Sequence, residues 1–336
     1  MGFITSYRLR WRRRRLLARS WWNARALRPV ADRTSAIAPD DVLAFTTLRN
    51  EYIRLPYFLE YYRDLGIGHF LMVDNGSTDG SREYLAAQPD VSLWHTEAGY
   101  RAARFGVDWL TDLQRRYAHD HWSLTVDPDE FFVYPFCDTR PLQALTDWLD
   151  SCGIRSFAAM LLDLYPRGTV HETPYREGQN PFEIAQWFDS ANYTISRNPD
   201  LYNLWIQGGP RARAFFADAP QAAPALNKIP LVKWHRRYAY VHSTHMLMPR
   251  GLNLTYDTSG GEKTSGALLH AKILDTLPQK ALEEATRGEH YAGGREYAAY
   301  RAGLEDQTDL WTEWSERYIN WRQLEILGLM SKGNWA

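Results

Sequence analysis

The chain has 336 residues and a mass of 39.0 kDa, and 45% of it is hydrophobic, 24% charged and 14% aromatic. That length holds one large domain or two modest ones around a buried core, and the composition excludes disordered, collagen-like and disulfide-framework classes. The near-neutral charge of −1 hides a division: residues 1–30 hold nine arginines, no lysine and no acid, which leaves −10 on residues 31–336.

This basic arm also carries Phe3, Ile4, Tyr7, Leu9, Trp11, Leu16, Leu17, Trp21 and Trp22. It lacks the apolar stretch of a signal peptide, and no run of about 18 apolar residues anywhere suggests a membrane span. A basic, aromatic segment suits peripheral contact with an anionic membrane surface, which is the expectation for residues 1–30. A tail docked on its own acidic body and an arginine-rich transit peptide are the alternatives. Cys137 and Cys152 form no metal-spaced pair and suggest no secreted framework, which points to a reducing compartment; with the arm, the expected location is cytoplasmic and peripheral at the inner membrane face.

From Asp41 strand and helix alternate. Val42–Leu48 reads as a buried strand, and residues 52–64 place Ile53, Leu55, Phe58, Leu59 and Tyr62 at helical spacing, stopped at Gly66. His69–Val73 is the second strand, Asn75–Ser81 a turn, and residues 81–87 a helix. Val91–His95 follows as a strand, 101–118 as a helix and Trp122–Val126 as a strand. Such alternation predicts an α/β fold, a mostly parallel sheet with helices on both faces. A short helix near 141–150 and a strand at 155–163 come next. Residues 165–240, rich in Pro, Gly and aromatics, read as loops and short strands over a site. From Pro278 the chain reads as helical to its end, with Trp311, Trp314, Tyr318 and Trp321 at helical spacing. The expected division is an arm (1–38), an α/β domain (39–275, with halves at 39–135 and 136–275) and a helical C-terminal region (276–336).

In an open parallel sheet, ligands bind beyond the carboxyl ends of the strands. The four strand exits carry Arg49-Asn50-Glu51, Asp74-Asn75, Glu97 and Asp127-Pro128-Asp129-Glu130. On extended chain Asp127 and Asp129 would point the same way, with Pro128 fixing the backbone between them. No basic residue lies near them in sequence, so a hard divalent cation would relieve their repulsion, completed by substrate phosphate oxygens. An acidic turn with a helix cap is the plain alternative.

Leu48-Arg49-Asn50-Glu51, Leu55-Pro56-Tyr57-Phe58-Leu59-Glu60-Tyr61-Tyr62, Val73 through Ser81 and Val126-Asp127-Pro128-Asp129-Glu130-Phe131 follow in order and spacing. As a set they resemble the nucleotide-sugar-dependent glycosyltransferases of the GT-A (Rossmann-like) fold, in particular the family-2-like bacterial branch with an Asp-x-Asp-Glu-Phe signature. A weaker echo runs through Gly208–Arg211, Lys228–Lys233 and Ala267–Lys272. The resemblance implies that Asp74 contacts the nucleobase and that Asn50 and Glu51 border the nucleotide pocket. It gives Asp127 to the ribose or metal and Asp129 to the metal at the diphosphate, Mn2+ or Mg2+, with His270 as a late metal ligand. A core histidine is the alternative for His270, and His242 and His245 are weaker candidates.

A metal at Asp129, aided by Arg101 or Arg104, would stabilise the charge that develops on the leaving diphosphate. The inverting transfer implied for this branch also needs a base. Asp163, at a strand exit, is the expected one, with Glu172 and Glu262 as alternatives. Trp187, Trp205 and Trp234 suit either an acceptor groove or packing. The implied partners are a nucleotide-sugar donor, UDP-sugar foremost, and a saccharide or lipid-linked acceptor; a −10 body disfavours nucleic acid. Two rival readings stand beside this one: a sugar-phosphate nucleotidyltransferase-like enzyme, and a non-catalytic membrane-surface protein acting through the arm. The first needs a glycine-rich loop after strand one, and Arg49-Asn50-Glu51 has no glycine.

Overall fold

A computed structural model describes residues 3–256, 262–287, 300 and 309–335. The strands are β1 (Arg28–Ala31), β2 (Val42–Leu48), β3 (Ile67–Asp74), β4 (Val91–His95), β5 (Trp122–Thr125), β6 (Glu130–Val133), β7 (Ser156–Asp163), β8 (Trp187–Asp189), β9 (Tyr193–Arg197), β10 (Leu204–Gly208), β11 (Asn227–Lys233), β12 (Ala239–Tyr240), β13 (Leu247–Met248), β14 (Gly266–His270) and β15 (Ser315–Arg317). The helices are α1 (Phe3–Asn23), α2 (Leu55–Leu65), α3 (Ser81–Ala86), α4 (Val107–Tyr117), α5 (Leu142–Ser151), α6 (Gly209–Phe215) and α7 (Leu277–Arg287), with a short one at Trp321–Ile326.

Nine strands form one sheet in the order β1-β4-β3-β2-β5-β11-β7-β14-β6. Strands β4, β3, β2, β5, β7 and β14 run one way; β11 runs against both its neighbours, and β1 and β6 are antiparallel edges. The expected α/β class with a mostly parallel sheet is the observed one. All seven residues of β2 are buried, as a strand covered on both faces requires. Alternation sorts them: Val42, Ala44 and Leu48 meet α2 and α5 on one face, while Leu43 and Phe45 meet α4 on the other.

Three elements depart from the sequence reading. The helix expected at 101–118 begins only at Val107, because Arg104, Phe105 and Gly106 lie at positive φ (52°, 60° and 77°). A Cβ on Gly106 would stand 2.7 Å from Thr47 Oγ1, so this turn wraps tightly over the end of β2. Strand β11 lies inside the stretch read as loops and short strands, and its Pro230 argues against a central position. The proline sits where the register with β7 shifts, between Lys228 and Leu231, which is the irregularity that admits it. Residues 309–320 are not helical: Ser315–Arg317 pairs with β8, and the aromatic spacing there serves packing. Residues 288–299 and 301–308 of the expected helical tail lie outside the described residues.

The arm is a 21-residue helix, α1, laid on α4. No described helix is long and apolar enough to cross a membrane.

Candidate active site

The carboxyl ends of β2, β5, β7 and β14 meet at one rim, and the Asp127–Glu130 turn docks on it through backbone: Ala271 N donates to Asp129 O at 2.8 Å. Tyr62 of α2 fixes the next strand, its hydroxyl donating to Glu130 O at 2.8 Å and accepting from Phe132 N at 3.1 Å. The chain turns at Pro128 rather than running extended, with Glu130 N donating to Asp127 O at 3.0 Å. Asp127 and Asp129 therefore face different neighbours, against the expectation of a shared direction.

Asp129 faces His270. His270 Nε2 stands 3.4 Å from Asp129 Oδ2, and its Nδ1 lies 2.6 Å from Asp163 Oδ1. Asp163 Oδ2 accepts from Arg211 Nε at 2.7 Å. The register places these groups, since His270 pairs directly with Asp163 across parallel β14 and β7. Burial works to raise the Asp163 pKa, but Arg211 and His270 more than offset it and hold it below the usual carboxylate value. Asp129 is likewise held low against its burial, chiefly by His270, and His270 is raised against burial by Asp129 and Asp163. Both Asp163 oxygens are thus engaged, one by Arg211 and one by His270, where the sequence reading expects a free base. Its alternatives stand elsewhere: Glu172 Oε1 accepts from Thr169 N at 3.0 Å, and Glu262 Oε2 from Ser331 Oγ at 3.0 Å.

Asp127 and Glu130 face a cation that sequence proximity does not reveal. Lys228 of β11, nearly fully buried, sets its Nζ 2.9 Å from Glu130 Oε1 and 3.8 Å from Asp127 Oδ2. Glu130 also receives Asp127 N on Oε2 at 3.3 Å, closing the turn. Protein packed around the Asp127 carboxyl, with Glu130 and Asp129 beside it, pushes its pKa up while Lys228 and the half of its surface open to solvent work the other way. The carboxylates of the turn thus have protein cations as partners.

The expected nucleotide residues each have protein partners. Asp74 is wholly buried and receives Ser77 N at 3.0 Å, Arg82 Nε at 2.8 Å and a 2.8 Å contact from His95 Nδ1, so it holds the Asn75–Gly80 turn together. Asn50, at φ 51°, accepts Thr78 N on Oδ1 at 2.8 Å and donates to Glu283 Oε1 at 2.7 Å. Glu51, buried, pairs with Arg54 at 3.1 Å and with Lys280. Helix α7 therefore lies over the exit of β2. Arg104 is committed to structure, binding Asp108 through Nε at 2.8 Å and the carbonyls of Tyr240 and Val241 at 2.9 and 3.1 Å. It is not brought to the Asp129–His270 group. His245 Nδ1 contacts Asn227 O at 2.6 Å, Trp234 is core, and Trp187 and Trp205 pack on Trp311 and His245.

The residues missed by sequence are the cations Arg54, Arg211 and Lys228. Arg54 donates to Ala271 O and Thr276 Oγ1, both at 3.3 Å, and with Lys272 it helps lower the Asp129 pKa. Arg211 and Lys228 lie in the motifs of the weaker echo, which was the signal available. For a divalent cation, Asp129 and His270 offer one carboxylate oxygen and one imidazole nitrogen at a separation fitting two ligands of one ion. His270 also has its other nitrogen on a carboxylate, as metal-bound histidines do. Among the described residues no group of three or more such side chains converges, and Asp127 lies on the Lys228 side. The donor set fits a cation that takes its remaining ligands from substrate oxygens and water.

No family model and no curated protein matches the chain. Among solved structures it is similar to a 4-diphosphocytidyl-2C-methyl-D-erythritol synthase, with 16% identity over 42% of this chain and 66% of that one and a TM-score of 0.24. A putative glucose-1-phosphate thymidylyltransferase from Bacillus anthracis in complex with a sucrose shares 11% identity over 78% and 84%, with a TM-score of 0.26. A UTP-bound UGPase from Acinetobacter baumannii shares 13% over 80% and 84%, with a TM-score of 0.28. At these identities and scores the likenesses carry no statement about substrate.

Proposed function

We propose that the protein is a nucleotide-sugar-dependent glycosyltransferase, passing a sugar to a saccharide or lipid-linked acceptor at an anionic membrane face. The observation that carries the reading is the chain Arg211–Asp163–His270–Asp129 at the strand exits, in which every member but the last two is committed to holding the next. In this reading Asp129 and His270 hold Mn2+ or Mg2+, which when bound neutralises charge on the leaving diphosphate. Asp163 fixes the imidazole so that Nε2 faces the ion, and Arg211 keeps Asp163 ionised. Lys228 and Glu130 hold the turn, leaving the half-exposed Asp127 toward the nucleotide. Arg54 and Lys272 add positive potential beside the diphosphate. Asn50 and Glu51 border the donor pocket beneath α7, and Asp74 shapes it through the Asn75–Gly80 turn. The loop Arg49-Asn50-Glu51 has no glycine nest for a triphosphate, which favours transfer over nucleotidyl transfer.

A thermal-shift panel of UDP, GDP, CDP and ADP, with and without Mn2+, tests this. One nucleotide should stabilise the wild type only with metal, and the shift should vanish in Asp129→Ala and His270→Ala. Asp163→Asn should weaken apparent metal affinity about 10–100-fold. Absence of any nucleotide shift sinks the reading; pyrophosphate released from a nucleoside triphosphate and a sugar phosphate hands it to the nucleotidyltransferase alternative.

A further inference from the structure

Helix α1 has two faces that do different things. Leu9 and Leu16 turn inward onto the cluster of Leu201, Val241, Met246 and Met248, and Ser20 is buried. Asp108 of α4, itself fully buried, takes Arg19 Nε at 3.0 Å, Ser20 Oγ at 3.2 Å and Asn23 Nδ2 at 2.6 Å. The opposite face carries Tyr7, Trp11, Trp21 and Trp22, exposed by 59%, 55%, 51% and 62%. Tyr7, Trp11, Arg14, Ala18 and Trp21 follow at steps of three and four, one stripe about 22 Å long to Trp22.

Arg8 and Arg15 flank that stripe on one side and Arg10 on the other, and Arg14 lies within it. Arg8, Arg10, Arg12, Arg13, Arg14 and Arg15 form no salt bridge among the described residues; on this helix only Arg19 is paired with a carboxylate. Partial burial and the like charges of Arg237, Arg10 and Arg14 lower the Arg13 pKa, so the cluster has charge to neutralise. A recess of about 540 Å³ opens between Trp22, Asn23, Arg25 and the segment 98–103, at the exit of β4.

We propose that α1 is a docking helix that lies in the plane of an anionic lipid surface, its outward stripe in the headgroup region and its inward face latched to the body through Asp108. Indole rings flanked by unpaired guanidinium groups match the boundary between headgroup and acyl chain. Anionic phosphates supply the counter-charge. A nucleic acid would offer phosphates too, but the −10 carried by residues 31–336 repels a long polyanion. Because Arg19 and Asn23 bind both Asp108 and Ala102 O, docking sets the β4 exit, with Glu97, beside the lipid. This deepens the transferase reading, on which the lipid-linked acceptor rests; the helix's lipid contact stands apart from it.

Flotation of the full chain tests the inference, with phosphatidylcholine vesicles that contain either no anionic lipid or about one-third phosphatidylglycerol. Recovery should follow the anionic vesicles only and fall with added salt. Trp11→Ser/Trp22→Ser and Arg8→Glu/Arg15→Glu should each lower it about tenfold, with melting temperature and nucleotide response unchanged. A fluorophore at Glu97→Cys (in Cys152→Ser) should be quenched by headgroup-labelled lipid more than one at Cys152. Equal recovery with neutral vesicles, variants that float like wild type, the reverse quenching order, or single-stranded RNA that displaces the vesicles would each overturn it. The nucleotide panel is read without lipid, so the two readings fail separately.

Discussion

Lys228 and Glu130 form the buried ion pair beneath the Asp127–Asp129 turn, and neither is near the other in sequence. A buried pair gains little net stability from its existence but loses much when halved, since the remaining charge stays desolvated. Lys228→Met should therefore cost about 3–5 kcal/mol, and the double variant Lys228→Met/Glu130→Gln should recover most of that loss. Denaturant unfolding of the four proteins of this cycle measures it; additive losses would show that the two side chains do not depend on each other. The repulsion argument that suggested a metal between Asp127 and Asp129 is thus answered in part by lysine. What the residue types did reveal was that this turn is acidic and lies at a strand exit. Which carboxylate faces His270 and which faces Lys228 was decided by β11 and β14, whose residues are distant in the chain.

At the scale of elements, the α1–α4 contact joins the arm to the sheet. Asp108 gathers donors from Arg19, Ser20, Asn23 and Arg104, so one carboxylate anchors both the arm and the turn before α4. Asp108→Ala leaves those donors without their acceptor and should cost about 2–4 kcal/mol, concentrated in α1. Limited trypsin digestion reads this as cleavage among Arg10–Arg15 about tenfold faster than in wild type, well before the rest of the chain is cut. Unchanged cleavage would mean that Leu9 and Leu16 alone hold the helix. The docked side of the arm was not legible in composition: its arginines populate all sides of the wheel. The docked side became visible only where Leu9, Leu16, Ser20 and Asn23 meet a surface. Helix α4 shows the converse, because the pattern at 101–106 reads helical while three consecutive positive φ angles end it.

Across the whole molecule, burial sets the acid response. His69, His242 and His245 are held neutral, their pKa values lowered first by burial, and that of His245 to about 3. A histidine with a lowered folded pKa contributes stability that is complete above about 6.5, its unfolded value, and is lost as pH falls toward the folded one. Asp74, Asp90 and Asp163 lie below their ordinary value, so their contribution persists above about 4 and fades as pH falls further. His270, raised, works in the opposite sense, its contribution fading as pH rises through its folded pKa. Asp127, its carboxyl raised, works in the same sense as His270; with the three lowered histidines against these two, the denaturant midpoint should be higher at pH 7 than at pH 5.5 and lower still at pH 4, and an equal or higher midpoint at pH 5.5 contradicts this balance. By itself the sequence determined the βα alternation over residues 42–126, the rim at the strand exits and the acidic turn, since these follow from local apolar runs and turn chemistry. Only the tertiary structure decided that β11 enters the sheet despite Pro230, that Asp163 holds His270, that Asp74 is spent on its own turn and that Lys228 neutralises Glu130. Those outcomes depend on pairing between strands and on buried charges finding partners, and neither is encoded in spacing along the chain.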